Sequence, residues 1–199
     1  MIPKIIHYCW FGGAPVPKEY QRYIESWRKY LPDYEIRRWD ETNYDVRCIP
    51  FSAEAYDVGK YAYVSDYARL RLLYEYGGIY FDTDVEVISP LDDIIADGPF
   101  MAFEKDSNAR KGELLNVAVG LGFAVEPHNP ILRETIDFYE SHHYIYPDGH
   151  MEQITIVKIV TDILKKRGLN RSDIPVKVDG ITIYPWDYFC PIEFLSSKL

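Results

Sequence analysis

The stretch from Tyr61 to Asp84 constrains this chain more than any other. Tyr61 to Tyr76 has helical spacing, with Ala68, Leu72 and Leu73 on the apolar side. Gly77-Gly78 ends it, because glycine takes the left-handed conformation past a helix end without steric cost. Ile79-Tyr80-Phe81 follows at once as an apolar, β-rich segment and runs straight into Asp82-Thr83-Asp84. A helix that turns within two residues into a buried strand is a building unit of α/β sheets. In open sheets of that class the ligand crevice lies outside the carboxyl ends of the strands. Asp82 and Asp84 are therefore expected at such an edge, on the same side of extended backbone.

The flanking segments agree with an α/β class. Lys4 to Trp10 reads as a buried first strand ending at Gly12-Gly13, and Lys18 to Leu31 carries Tyr20, Tyr23, Ile24, Trp27 and Leu31 at helical spacing. Tyr34 to Trp39 is a second strand, and Ser52 to Val58 a short helix. Beyond Ser89-Pro90, strands are expected at Phe100 to Glu104 and Leu115 to Phe123. Asn129-Pro130 is a cap and first-turn pair for a helix reaching about His142. Tyr144 to Gly149 is a loop, Met151 to Arg167 a helix closed by Gly168, and Val176 to Tyr184 a hairpin about Asp179-Gly180. No linker or repeat divides the 199 residues, so one domain over 1–199 is expected.

Composition narrows the function classes. A net charge of −9 argues against a nucleic-acid partner, since phosphate backbones demand clustered Lys and Arg. Three cysteines without paired spacing point to a reducing compartment and away from a cysteine-based zinc site. No apolar run approaches the roughly 20 residues of a membrane span. We expect a soluble, cytoplasmic chain.

Asp82-x-Asp84 alone is weak, because an acidic chain of this length produces one such pair by chance. Its position after an apolar strand strengthens it. Two converging carboxylates repel unless a cation lies between them, and hard oxygen ligands suit Mn²⁺ or Mg²⁺ carrying substrate phosphates. Asp66 and Arg69, three apart on the preceding helix, read either as a surface ion pair or as a guanidinium that neutralises a departing diphosphate. Trp10, beside Gly12-Gly13, reads either as a nucleobase platform or as core. A haloacid-dehalogenase-like phosphatase also follows an apolar strand with D-x-D, normally at its first strand rather than at residue 82. An EF-hand loop fails because Val87 stands where glycine is required. A G-x-S-x-G elbow is absent, and Gly120-Leu121-Gly122 lacks the third glycine of a dinucleotide fingerprint.

Together, Ile2 to Gly13 and the pattern S-D-x-x-R (Ser65, Asp66, Arg69) then G-G-x-Y-x-D-x-D (Gly77, Gly78, Tyr80, Asp82, Asp84) resemble the glycosyltransferases with a D-x-D sugar-binding region. That group includes bacterial capsular polysaccharide glycosyltransferases and the fungal initiating mannosyltransferase. Its core pattern is shared with the glucosyltransferase domains of large clostridial toxins. The resemblance implies a GT-A-like fold, a central mixed sheet flanked by helices. It also implies metal-dependent, retaining transfer from a UDP- or GDP-linked sugar to a glycan or lipid-linked oligosaccharide acceptor. The setting it implies is bacterial capsule or cell-surface polysaccharide synthesis, at the inner face of the membrane.

By position, the resemblance assigns Trp10 to the base, with Tyr8 beside it, and Asp66 and Arg69 to the donor sugar and the leaving diphosphate. Tyr80 is assigned to the diphosphate region, Asp82 to ribose, donor sugar and metal, Asp84 to Mn²⁺ or Mg²⁺, and Asn116 to the donor. Acceptor contacts are expected from Glu104 to Gly112 and from Tyr144 to His150. Relatives continue past the Tyr184 to Phe189 region into a closing tail, so the end at Ser196 to Leu199 is expected to lack that lid. A chain without it could instead be a non-catalytic nucleotide-sugar or glycan-binding module.

Overall fold

A computed structural model describes residues 1–106, 108–110 and 113–190. Residues 191–199, to which the expected missing lid refers, lie outside the described residues, as do 107, 111 and 112 in one expected acceptor stretch. The sheet has seven strands: β1 (Ile5–Cys9), β2 (Glu35–Trp39), β3 (Gly78–Tyr80), β4 (Phe100–Ala102), β5 (Phe123–Val125), β6 (Val176–Val178) and β7 (Ile181–Tyr184). Their order across the sheet is β2-β1-β3-β5-β4-β7-β6. β1 is parallel to β2 and β3, and β4 to β7, while β5 is antiparallel to both β3 and β4. β1, β2, β3, β4 and β7 therefore all point the same way, and their carboxyl ends share one edge.

Strand alternation sends side chains to two cores. Ile6, Ile79, Phe81, Phe100 and Ala102 face one side, which α1 (Lys18–Tyr30) covers with Ile24 and Trp27. Tyr80, Met101, Phe103, Phe123, Val125 and Ile183 face the other side. There they pack with α2 (Pro50–Asp57), α3 (Tyr61–Tyr76), α5 (Pro130–Glu140) and α6 (Ile156–Lys166). The mixed α/β sheet flanked by helices is thus present as expected. A short α4 (Asp92–Ala96) was not anticipated.

α3 begins and ends at the residues the periodicity indicates, but it is buried around most of its circumference. Val64, Tyr67, Arg69 and Leu70 are buried together with Ala68, Leu72 and Leu73. The tight step into β3 requires glycine: Gly78 has φ +103, and a Cβ there would lie 2.5 Å from the Ile5 carbonyl oxygen. Asn129 caps α5 by accepting from the N–H groups of Ile131 and Leu132, and Asp179-Gly180 turn the β6–β7 hairpin with φ +45 and +84.

Three expectations need correction. The strand expected at Leu115 to Phe123 exists only from Phe123; upstream there is a single bridge, Phe103 to Val117, and then a turn through Gly120. The helix expected from Met151 starts at Ile156. Thr155 caps it, while the N–H groups of Gln153 and Ile154 bond to the Glu152 carboxylate instead of entering helical turns. Asp82-Thr83-Asp84 is not extended: it turns, with the Val85 N–H bonded to the Asp82 carbonyl at 3.1 Å.

Candidate functional site

Arg69 is the centre of the site. It sits one turn past Ser65 on α3 and is 5% exposed, so the surface ion-pair reading does not hold. Its Nη1 donates to Asp82 Oδ2 at 3.2 Å, and its Nη2 lies 3.1 Å from Asp82 Oδ1 and 3.2 Å from Asp66 Oδ1. Its Nε donates to the Ser65 carbonyl at 3.2 Å, and the guanidinium carbon stands 4.6 Å from the centre of the Tyr80 ring. The Tyr80 hydroxyl donates to Asp82 Oδ1 at 3.1 Å. Both Asp82 oxygens are thus held from below by a fixed cationic fork and a phenol.

The electrostatics follow from burial. Asp66 is pushed up to about 6 because it is desolvated; Arg69 opposes that rise, Asp82 adds to it, and the Ile156 N–H at the start of α6 also opposes it. Asp84 is raised by desolvation and then by the negative charge of Asp82. Arg69 is raised, the carboxylates outweighing its desolvation. Asp84 is in no ion pair among the described residues, whereas Asp82 is committed to Arg69. An exposed carboxylate that carries like-charge repulsion from Asp82 suits a divalent cation that takes its remaining ligands from water and phosphates. No group of three or more His, Cys, Asp or Glu side chains converges among the described residues.

The other expected residues are placed unevenly. β1 pairs His7 with Tyr80, and Cys9, two residues on, lies near Tyr80 and Asp82. Trp10 lies just past β1, at the same sheet edge, with its indole N–H on the Ala14 carbonyl at 2.7 Å and its ring edge-on to Tyr20. Tyr8 points into the core below α1, edge-on to Trp27 at 5.7 Å, and is 8% exposed. The Asn116 carbonyl accepts the Glu104 N–H at 2.9 Å, which sets Asn116 beside the end of β4 and not in the Arg69 cluster.

Two residues at the site escaped the sequence reading. Gly120 carries its carbonyl to the Asp82 N–H at 3.0 Å, and a Cβ on it would lie 3.1 Å from Asp82 Cγ and 3.2 Å from Arg69 Nη1. Its only signal was the pair with Gly122, which the dinucleotide test discarded. Cys9 forms a wall beside Arg69, Tyr80 and Asp82, its thiol pushed up to about 12 by burial. Nothing in its sequence context marks it.

Residues 17–101 match the family model described as glycosyltransferase sugar-binding region containing DXD motif. An uncharacterized glycosyltransferase of Acanthamoeba polyphaga mimivirus is 31% identical over 141 residues, 66% of this chain and 53% of that protein. Inositol phosphoceramide mannosyltransferase 1 of Schizosaccharomyces pombe is 25% identical over 146 residues, 68% of this chain and 42% of that protein. The chain spans about half the length of these curated relatives. Among solved structures, the PaToxG glycosyltransferase superposes with a TM-score of 0.59 at 20% identity, over 83% of this chain and 69% of that one. That likeness concerns the fold and agrees with the expected GT-A architecture.

Proposed function

Because residues 17–101 match the model of the DXD-containing sugar-binding region of glycosyltransferases, we propose that the chain moves a sugar from a UDP- or GDP-linked donor to a glycan acceptor. The observation that carries this reading is Arg69, buried at the foot of the D-x-D turn and forked onto Asp82 and Asp66. In the transfer, the bond from the sugar's anomeric carbon to the diphosphate breaks and its electron pair leaves with the diphosphate oxygen. A bond forms to an acceptor hydroxyl, which releases its proton. Negative charge grows on the diphosphate, and a pre-oriented guanidinium stabilises it without reorganisation. Mn²⁺ or Mg²⁺, when bound, supplies further positive charge there.

Under this reading Asp84 is the main metal ligand, and Asp82 orients the ribose and donor sugar while Arg69 and Tyr80 hold it in place. Asp66 sets the pose of Arg69, and Trp10, at the next strand end, offers its indole face to the base. Retention of anomeric configuration, and a role in cell-surface polysaccharide assembly at a membrane face, rest on the family resemblance. No helix among the described residues is long and apolar enough to cross a membrane.

The test is a panel of UDP- and GDP-sugars screened for Mn²⁺-dependent thermal stabilisation and for release of free sugar. At least one donor should raise Tm and turn over only with metal. Stabilisation by a donor with no turnover would favour the non-catalytic module. Phosphate release from a generic phosphoester, lost in Asp82→Asn, would favour the phosphatase.

A further inference from the structure

We propose that Glu104, Lys105, Asn116 and Trp186 form the subsite that takes a sugar ring of the acceptor. This rests on the transferase reading above and extends it to the second substrate. The topology supplies the first argument. β1, β3, β4 and β7 all point the same way, so their carboxyl ends line one edge. β1 delivers Trp10 there and β3 delivers Asp82 and Asp84, the residues of the donor side. β4 leads into Glu104 and Lys105, and β7 into Trp186, which opens a 3₁₀ turn to Tyr188. The donor role absorbs none of these three.

The local chemistry supplies the second argument. Lys105 Nζ stands 4.9 Å from the centre of the Trp186 ring. Glu104 is half-buried and donates its backbone N–H to the Asn116 carbonyl at 2.9 Å. An indole face met by an ammonium, at the end of the strand paired with the one that leads into Glu104, matches a pyranose. The ring's C–H face lies on an aromatic surface, and its hydroxyls both donate and accept in the plane. A cation–π contact at a solvent-reached site is weak, so a sugar face can displace the Lys105 ammonium and leave it to bond a hydroxyl.

The third argument is spacing. β5 lies between β3 and β4, which separates Glu104 from Asp82 by two strand intervals, about 10 Å. The segment 116–120 joins the two places: Asn116 meets Glu104 at one end and the Gly120 carbonyl meets the Asp82 N–H at the other. One ribbon of backbone thus walls both subsites and leaves a donor sugar between them. Asn116 accordingly belongs to the acceptor side.

The experiment uses the methyl α- and β-pyranosides of glucose, galactose and mannose as probes. Saturation-transfer NMR reports glycoside binding, and the thermal shift with the active UDP- or GDP-sugar and Mn²⁺ reports donor binding. At least one glycoside should bind wild type, and both Trp186→Leu and Glu104→Gln should weaken it about tenfold. Both variants should keep the wild-type donor shift. Unchanged glycoside binding in both variants overturns the subsite, and so does a wild type that binds none of the six probes. Parallel loss of the donor shift also overturns it, since the residues would then serve the donor or the fold. If wild type binds a glycoside through Trp186 yet responds to no nucleotide sugar, the transferase reading fails and the glycan site stands.

Discussion

Arg69 keeps a guanidinium inside the protein because two carboxylates, a backbone carbonyl and a phenol ring meet it there. Its three nitrogens each have an assigned partner, which a point charge on a flexible stem cannot reproduce. Arg69→Lys should cost about 1–3 kcal/mol of stability through hydrogen bonds left unmade. In donor turnover it should lose about 100-fold or more, the scale of one lost transition-state donor. Steady-state assays and urea melts read the two effects separately; a full rate in the lysine variant would make Arg69 structural only. The residue types of this cluster were legible from their spacing, because helix period and strand end are local properties. The burial of Arg69 was not, since it depends on α3 being covered on both sides. Gly120 and Cys9 were not legible either, because both matter through a neighbour far away in sequence.

Elements whose boundaries are set by local chemistry came through from sequence. α3 stops where Gly77 follows it, the β6–β7 hairpin turns where Asp179 and Gly180 allow positive φ, and α5 starts where Asn129 caps it. Where a boundary depends on a distant partner the sequence misleads. The segment before β5 looks β-rich, but it turns at Gly120 to bring a carbonyl beneath Asp82. The residues before α6 look helical, but the Glu152 carboxylate captures their N–H groups. α5 gives the prediction at this scale. Asn129→Ala should destabilise the protein by about 1 kcal/mol in urea unfolding, with donor turnover kept. A change within error would mean that the cap is replaced by water.

At the scale of the whole molecule, one buried group under the sheet makes stability depend on pH. His7 is fully buried, accepts from Trp39 Nε1–H on Nδ1 at 3.0 Å and contacts the Gly77 carbonyl through Nε2 at 3.0 Å. That pattern fits neutral imidazole, and burial lowers its pKa from 6.5 to about 4. Between those values the unfolded chain binds the proton and the folded one does not, so stability falls as pH drops through that window. Asp66 acts in the opposite sense, its stabilisation fading as pH rises through about 6, but it is common to wild type and a His7→Gln variant. On going from pH 7 to 4.5, wild type should lose roughly 2–3 kcal/mol more than His7→Gln. Equal losses in urea unfolding at the two pH values would contradict the buried neutral His7. The central claim concerns the other end of the sheet, where the D-x-D turn meets Arg69, and the most direct measurement is Mn²⁺-dependent donor turnover in Asp84→Asn. The account predicts that turnover and manganese-dependent donor binding both vanish while Tm without donor stays near wild type. Unchanged manganese affinity and turnover in that variant would contradict it.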